Sequence, residues 1–178
     1  MRDASRAAKA FSLEGQLAIV TGGGTGLGYA MSSCLLACGA RVVITGRRAD
    51  VLKHAVAELG EGAAAEPHDV TDVESVNGLV ERIEAKFGNP TILINNAGTH
   101  VKKPLEQHTR EEFDRILATH VGGAFNLTQA VVLRMKAAGG GSVLFIASMS
   151  SLIGMPNIAR TSGSTALERG LTSHSCFP

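Results

Sequence analysis

Three cysteines, Cys34, Cys38 and Cys176, are too few for a disulfide framework in 178 residues, and a reducing compartment, the cytoplasm, is the expectation. Cys34 and Cys38 lie four apart in an expected helix and read as packing residues. An excess of charge is lacking too. Seventeen Lys and Arg against sixteen Asp and Glu leave a net charge of +1, which gives no general reason to expect a nucleic-acid or membrane partner. No apolar run approaches the length of a membrane span. The six histidines, His54, His68, His100, His108, His120 and His174, show none of the usual ligand spacings, and no metal is expected. Tryptophan is absent, and the only tyrosine is Tyr29. What is present is 44% hydrophobic and 19% charged residues, so the chain is globular and long enough to bury one core. There are no repeats and no linker.

The most informative stretch runs from Leu17 to Gly28. Leu17-Ala18-Ile19-Val20 suits a strand covered on both faces, as in a parallel sheet. Thr21, Gly22, Thr25, Gly26, Leu27 and Gly28 then form a glycine-rich turn that enters a helix. The spacing is G-x-x-x-G-x-G, neither the commoner dinucleotide fingerprint nor a phosphate loop, since no Lys-Ser/Thr pair follows. Free N–H groups at the start of that helix would face a pyrophosphate, aided by the helix dipole. Taken alone, the same residues also describe an ordinary βα turn.

Strand and helix alternate along the rest, which argues for a doubly wound parallel α/β sheet of three layers and about five strands. The expected helices run from Gly26 to Cys38, Asp50 to Leu59, a cap at Thr71 or Asp72 to Phe87, and Thr109 to Ala138. The last is broken in character around Gly122 and Gly123. The later expected strands are Arg41 to Thr45, Ala63 to Glu66, Thr91 to Ile94 and Ser142 to Ile146. Residues 1–12, with Arg2, Arg6 and Lys9 among alanines, read as a frayed extension rather than a transit peptide. Residues 13–156 form the expected nucleotide-binding unit, and 157–178 a divergent tail.

The end of the second strand bears on which dinucleotide fits. An acid there commonly binds the ribose hydroxyls, whereas a basic residue accommodates a 2′-phosphate. This chain has Gly46, Arg47 and Arg48 at that place. No acid repels a phosphate, and a guanidinium can grip one with two hydrogen bonds. NADP is therefore favoured over NAD; the alternative is that the two arginines are merely solvated surface.

Four motifs together, in order and spacing from Leu13 to Pro156, resemble the short-chain dehydrogenases/reductases. They are Thr21-Gly22-x-x-x-Gly26-x-Gly28, Asp69-Val70, Asn95-Asn96-Ala97-Gly98 and Ile146-Ala147-Ser148. The resemblance implies a Rossmann-like sheet and hydride transfer between a nicotinamide cofactor and a small-molecule alcohol or ketone. It implies that Asp69 binds the adenine amino group, that Val70 offers a backbone contact, and that Asn95, Ala97 and Gly98 line the cofactor crevice. It gives Ser148 the family's substrate-binding serine role, and it implies pairing of two copies through the long helix 109–138.

The chemistry departs from the family. A family tyrosine, its acidity raised by a lysine four residues later, moves the proton. Counting thirteen from Ser148 reaches Thr161, and four more reach Thr165, neither of which can replace them. No other register helps, because the last lysine is Lys136. The family asparagine position, three before Gly123, holds His120, read here as a partly buried helix residue. Catalysis is expected to be impaired. Family members continue for two more strands and helices, so strand five is expected to be an uncovered sheet edge. A segment resembling the start of the active-site helix, Ser164 to Thr172, is followed by a tail without an apolar stripe. From about Asn157 a frameshift, splice variant or truncated reading is the expectation.

Overall fold

The computed structural model describes residues 9–153 and the short strand at 176–177. Five parallel strands make one sheet: β1 (Leu17–Thr21), β2 (Arg41–Gly46), β3 (Ala63–Pro67), β4 (Ile92–Asn95) and β5 (Gly141–Phe145). Their spatial order is β3-β2-β1-β4-β5, so the chain reverses direction across the sheet between β1 and β4. Ala18 of β1 lies opposite Val42 on one side and Ile92 on the other. All five residues of β1 are buried, because its side chains alternate between two covered faces. Leu17 and Ile19 join one core cluster, while Ala18 and Val20 join the other.

Helices α1 (Gly26–Ala37) and α2 (Ala49–Leu59) cover the second of those faces, through Leu35, Leu36, Leu52 and Ala55. The first face is covered by α3 (Val76–Phe87) and α5 (Ala124–Ala137), through Leu79, Ile83, Leu127, Val131 and Met135. This is the doubly wound, three-layer arrangement expected from the alternation of strand and helix.

Several local expectations need correction. Helix α3 begins at Val76 rather than beside Thr71 or Asp72. The Thr71 N–H and hydroxyl both bind Asp69 Oδ1, at 3.0 and 2.8 Å, and Asp72 Oδ2 accepts from the Ser75 hydroxyl at 2.7 Å. These short polar side chains support a turn that delays the helix. Cys34 is exposed, because α1 turns Gly28 and Ser32 inward, so it is not a packing residue.

The long helix is composite. Thr109 caps α4 (Arg110–Leu117) with a capping box: its hydroxyl accepts the Glu112 N–H at 3.3 Å, and Glu112 accepts the Thr109 N–H at 3.0 Å. Ala118–Gly123 then wind as a wider π turn before α5 begins. The whole run, Arg110–Ala137, has 28 residues and a mean hydropathy of 1.4 over its most apolar window. That is long and apolar enough to cross a membrane, contrary to expectation, because Ile116 to Leu133 include no charged residue. Here Leu127, Ala130, Val131 and Met135 join the core on one face of the sheet, and Ile116 is buried as well.

The outer edge of β5 is partly paired. A short strand, β6 (Cys176–Phe177), runs antiparallel beside Gly141 and Ser142. Among the described residues, no strand flanks Val143 to Phe145 on that side. Gly154, Met155, Thr161, Thr165 and the segment Ser164 to Thr172 lie outside the described residues.

Candidate cofactor cleft

Thr21 ends β1, and its hydroxyl ties two strand ends together. It accepts the N–H groups of Asn96 and Ala97, each at 2.9 Å, and donates to the Ile94 carbonyl at 3.4 Å. The Asn96 amide returns two bonds, to Thr21 O at 2.9 Å and Gly22 O at 3.3 Å. The turns after β1 and β4 are thereby held side by side where the chain direction reverses, the usual crevice of such sheets.

The glycines have separate reasons. Gly22 adopts φ +65°, and Gly26 adopts φ +55° with open space around it, so there the backbone conformation makes the demand. At Gly28 space decides. A Cβ there would sit 2.3 Å from Gly22 O and 2.6 Å from Asn96 Nδ2, so α1 can enter the turn only without a side chain. Thr25, the residue before α1, is extended and its side chain makes no capping bond; the first turn carries no acid. The N–H groups of that turn are thus left open to an anion.

Above this turn lies a cleft of about 480 Å³. Its walls include Gly22, Gly24 and Thr25, the strand end Thr45 to Arg48, His68 to Val70, Asn96 to Thr99, and Arg115 with Thr119. Of the residues singled out in the sequence, Gly22, Thr25, Arg47, Asp69, Val70, Ala97 and Gly98 meet in this one cleft. Others do not line it. Thr21 is buried beneath, and Gly28 packs under the turn. Gly26 borders a neighbouring groove between α1 and α2, and Leu27 is 69% exposed. Asn95 is 5% exposed, and its amide donates to Thr128 Oγ1 at 2.9 Å, so it braces α5 instead of facing the crevice. The side chain beside it, Asn96, performs the stitching at the cleft. Arg48, named beside Arg47, lines the cleft as well, whereas sequence reasoning missed His68, Thr99, Arg115 and Thr119. Arg115 and Thr119 carried one usable signal, a four-residue spacing that places both on one helix face.

The electrostatics favour an ionised Asp69. Its partial burial opposes charge, yet two hydrogen bonds from Thr71, with the nearby Arg47 and His68, hold its carboxyl below the ordinary value. Both Thr71 bonds fall on Oδ1, leaving Oδ2 available. Burial pushes the His68 imidazole down, against the pull of Asp72 and Asp69, and its Nδ1 lies 3.3 Å from the Ser75 hydroxyl. His120 is 8% exposed in the π turn. Its Nε2 lies 3.1 Å from the Thr99 nitrogen and 2.7 Å from the Thr99 oxygen, where it supports the loop after β4.

Ser148 follows β5 at the same end of the sheet, half-buried and outside the cleft walls. Its hydroxyl oxygen accepts from the Ser150 N–H at 3.2 Å and the Ser150 hydroxyl at 2.9 Å, and Ser151 bonds to its carbonyl.

The short chain dehydrogenase family model matches residues 16–176. The chain belongs to that family. The chain is 36% identical over 165 residues to the gluconate 5-dehydrogenase of Gluconobacter oxydans, an alignment covering 91% of this chain and 64% of the relative. It is also 36% identical over 160 residues to the NADP-dependent (R)-specific alcohol dehydrogenase of Lentilactobacillus kefiri, covering 88% and 64%. A crystal structure of a putative gluconate dehydrogenase from Agrobacterium tumefaciens superposes with a TM-score of 0.87 at 30% identity, over 91% of this chain and 65% of that one. The chain thus spans a little under two thirds of these relatives. Its family is one of oxidoreductases that use a nicotinamide dinucleotide.

Proposed function

We propose that this short-chain dehydrogenase holds NADP(H), in preference to NAD(H), in the cleft above the glycine turn, and that its own turnover is impaired. The observation that carries the cofactor choice is the end of β2, where Arg47 and Arg48 enter the cleft and no acid stands. An acid would repel a 2′-phosphate; a guanidinium binds it with charge-assisted hydrogen bonds. The remaining residues fit the same ligand. The turn Gly22 to Gly28 would take a diphosphate at the start of α1, and Asp69, whose Oδ2 is left free by the Thr71 bonds, would accept from an adenine amino group. Gly98 and Ala97 give the dinucleotide a wall without bulky side chains. When bound, the cofactor supplies or accepts a hydride; the partner class is a small alcohol or ketone, with Ser148 as the group that would hold its oxygen. The nucleotide-binding unit is assigned to residues 13–156, in a cytoplasmic protein.

The impairment rests on the missing Tyr and Lys. Proton transfer by a positioned side chain is worth about 10²–10⁴-fold, and neither Thr161 nor Thr165 can supply it. The test is fluorescence titration of the purified chain with NADPH and NADH, run beside Arg47→Ala. A tighter NADPH complex in the parent chain, lost tenfold or more in the variant and unchanged for NADH, is the expected result. Equal affinities in the parent chain overturn the cofactor assignment.

A second reading is supported by Phe125 and Leu133, 51% and 65% exposed on α5. With Gln129 they form a stripe that suits pairing of two copies through the long helix. Sedimentation of the chain and of Phe125→Glu tests it: a dimer that the substitution dissociates is the expected outcome, and a monomer in both rejects it.

A further inference from the structure

Arg115 sits at the C-terminal end of α4 and lines the cleft together with Asp69, Val70, Gly98 and Thr99, one helical turn before Thr119. Its guanidinium makes no ion pair or hydrogen bond among the described residues, although the same helix contains a neighbour fully tied down: Arg110 holds Asp114 at 2.9 and 3.0 Å. Lys103 is likewise held by Glu112 at 2.8 Å. The position of α4 over the cleft is fixed by a close approach farther along. A Cβ on Gly123 would sit 2.8 Å from Val70 Cβ, so the π turn lies directly on the loop that follows β3.

The cleft walls include no Phe, Tyr or Trp. A purine entering between Val70 and Gly98 therefore finds no aromatic ring to stack on apart from the buried His68. The flat groups left are guanidiniums, and two of the three, Arg47 and Arg48, belong to the rim after β2. A guanidinium lies readily against an aromatic face, whereas an ammonium does not present a plane.

We propose that Arg115 is the adenine-recognition residue of this cleft, closing over the purine face from the α4 side. The assignment rests on the dinucleotide reading given above and adds to it a contact that is indifferent to the 2′-phosphate. That indifference separates it from Arg47, whose contact requires the phosphate.

The experiment titrates NADPH and NADH into the parent chain, Arg115→Ala, Arg115→Lys and Arg47→Ala, with far-UV circular dichroism as a check of folding; Arg115 is exposed, so its variants fold. Arg115→Ala is expected to weaken both dinucleotides by the same factor, about fivefold, and Arg115→Lys to weaken both nearly as much. A loss confined to NADPH makes Arg115 a phosphate contact and overturns the proposal. Full affinity in Arg115→Lys, which shows that charge alone suffices, overturns it as well, as does full affinity in Arg115→Ala. If the parent chain binds neither dinucleotide, the cofactor reading itself fails; if the parent binds and the Arg115 variants match it, only the adenine assignment fails.

Discussion

At the residue scale, the tightest constraint is at Gly28. A methyl group there meets Gly22 O at 2.3 Å and Asn96 Nδ2 at 2.6 Å, both parts of the network that positions the cleft. Gly28→Ala is expected to lose about 1–3 kcal/mol in urea unfolding and to bind NADPH poorly. His68 gives a different, pH-dependent signature. Its folded pKa lies below the ordinary 6.5, so the unfolded chain takes up the proton first. Stability present above that value is lost as pH falls through it. The urea midpoint should therefore drop between about pH 7.5 and 5.5, and His68→Gln should flatten that slope. The carboxylates act in a lower window. Glu66, paired with Arg82 and Lys86, is held down despite its own burial; Asp69 is held down by Thr71. Their stabilisation is lost only as pH falls below the usual carboxylate range. A midpoint that does not move until pH 4.5 would contradict the His68 assignment.

At the element scale, α4 is the piece most dependent on a single local device. It has eight residues, too few for a helix to persist alone, and the Thr109–Glu112 capping box closes its first turn. Thr109→Ala is expected to cost about 1 kcal/mol, read as a lower Tm, and to loosen the wall that carries Arg115. Element-level expectations from sequence fared unevenly for physical reasons. The strands were legible because apolar β-branched runs bounded by glycine, such as Arg41 to Gly46, leave few alternatives. The start of α3 was not, because Thr71 and Asp72 have the chemistry of helix caps and only the folded loop shows them bonded to Asp69 and Ser75. The same holds within the cleft. Asn95 and Asn96 are adjacent and chemically identical, and which one faces the turn after β1 is settled by strand pleat, not by composition. Arg115 lies forty-six residues from Asp69 and lines the same cleft only through the tertiary packing that brings α4 there.

At the scale of the whole molecule, binding and catalysis are expected to separate. The residues that line the cleft come from every layer between Gly22 and Thr119, whereas the missing proton-transfer pair belongs after β5. A steady-state assay of NADPH oxidation over small ketones is expected to give rates at least about a hundredfold below those of a family member that has the pair. Turnover at a comparable rate would show that another group moves the proton.

The placement of β1 has a consequence in time. Its two neighbours are β2 and β4, and the second is completed only at Asn95. On a ribosome adding about 5–20 residues per second, Thr21 leaves the synthetic centre roughly 4–15 s before Asn95 is added. Through that interval this fully buried strand has an open side, and a nascent chain paused before residue 92 would present it to any other strand nearby. The strand made first must wait for the fourth to be enclosed.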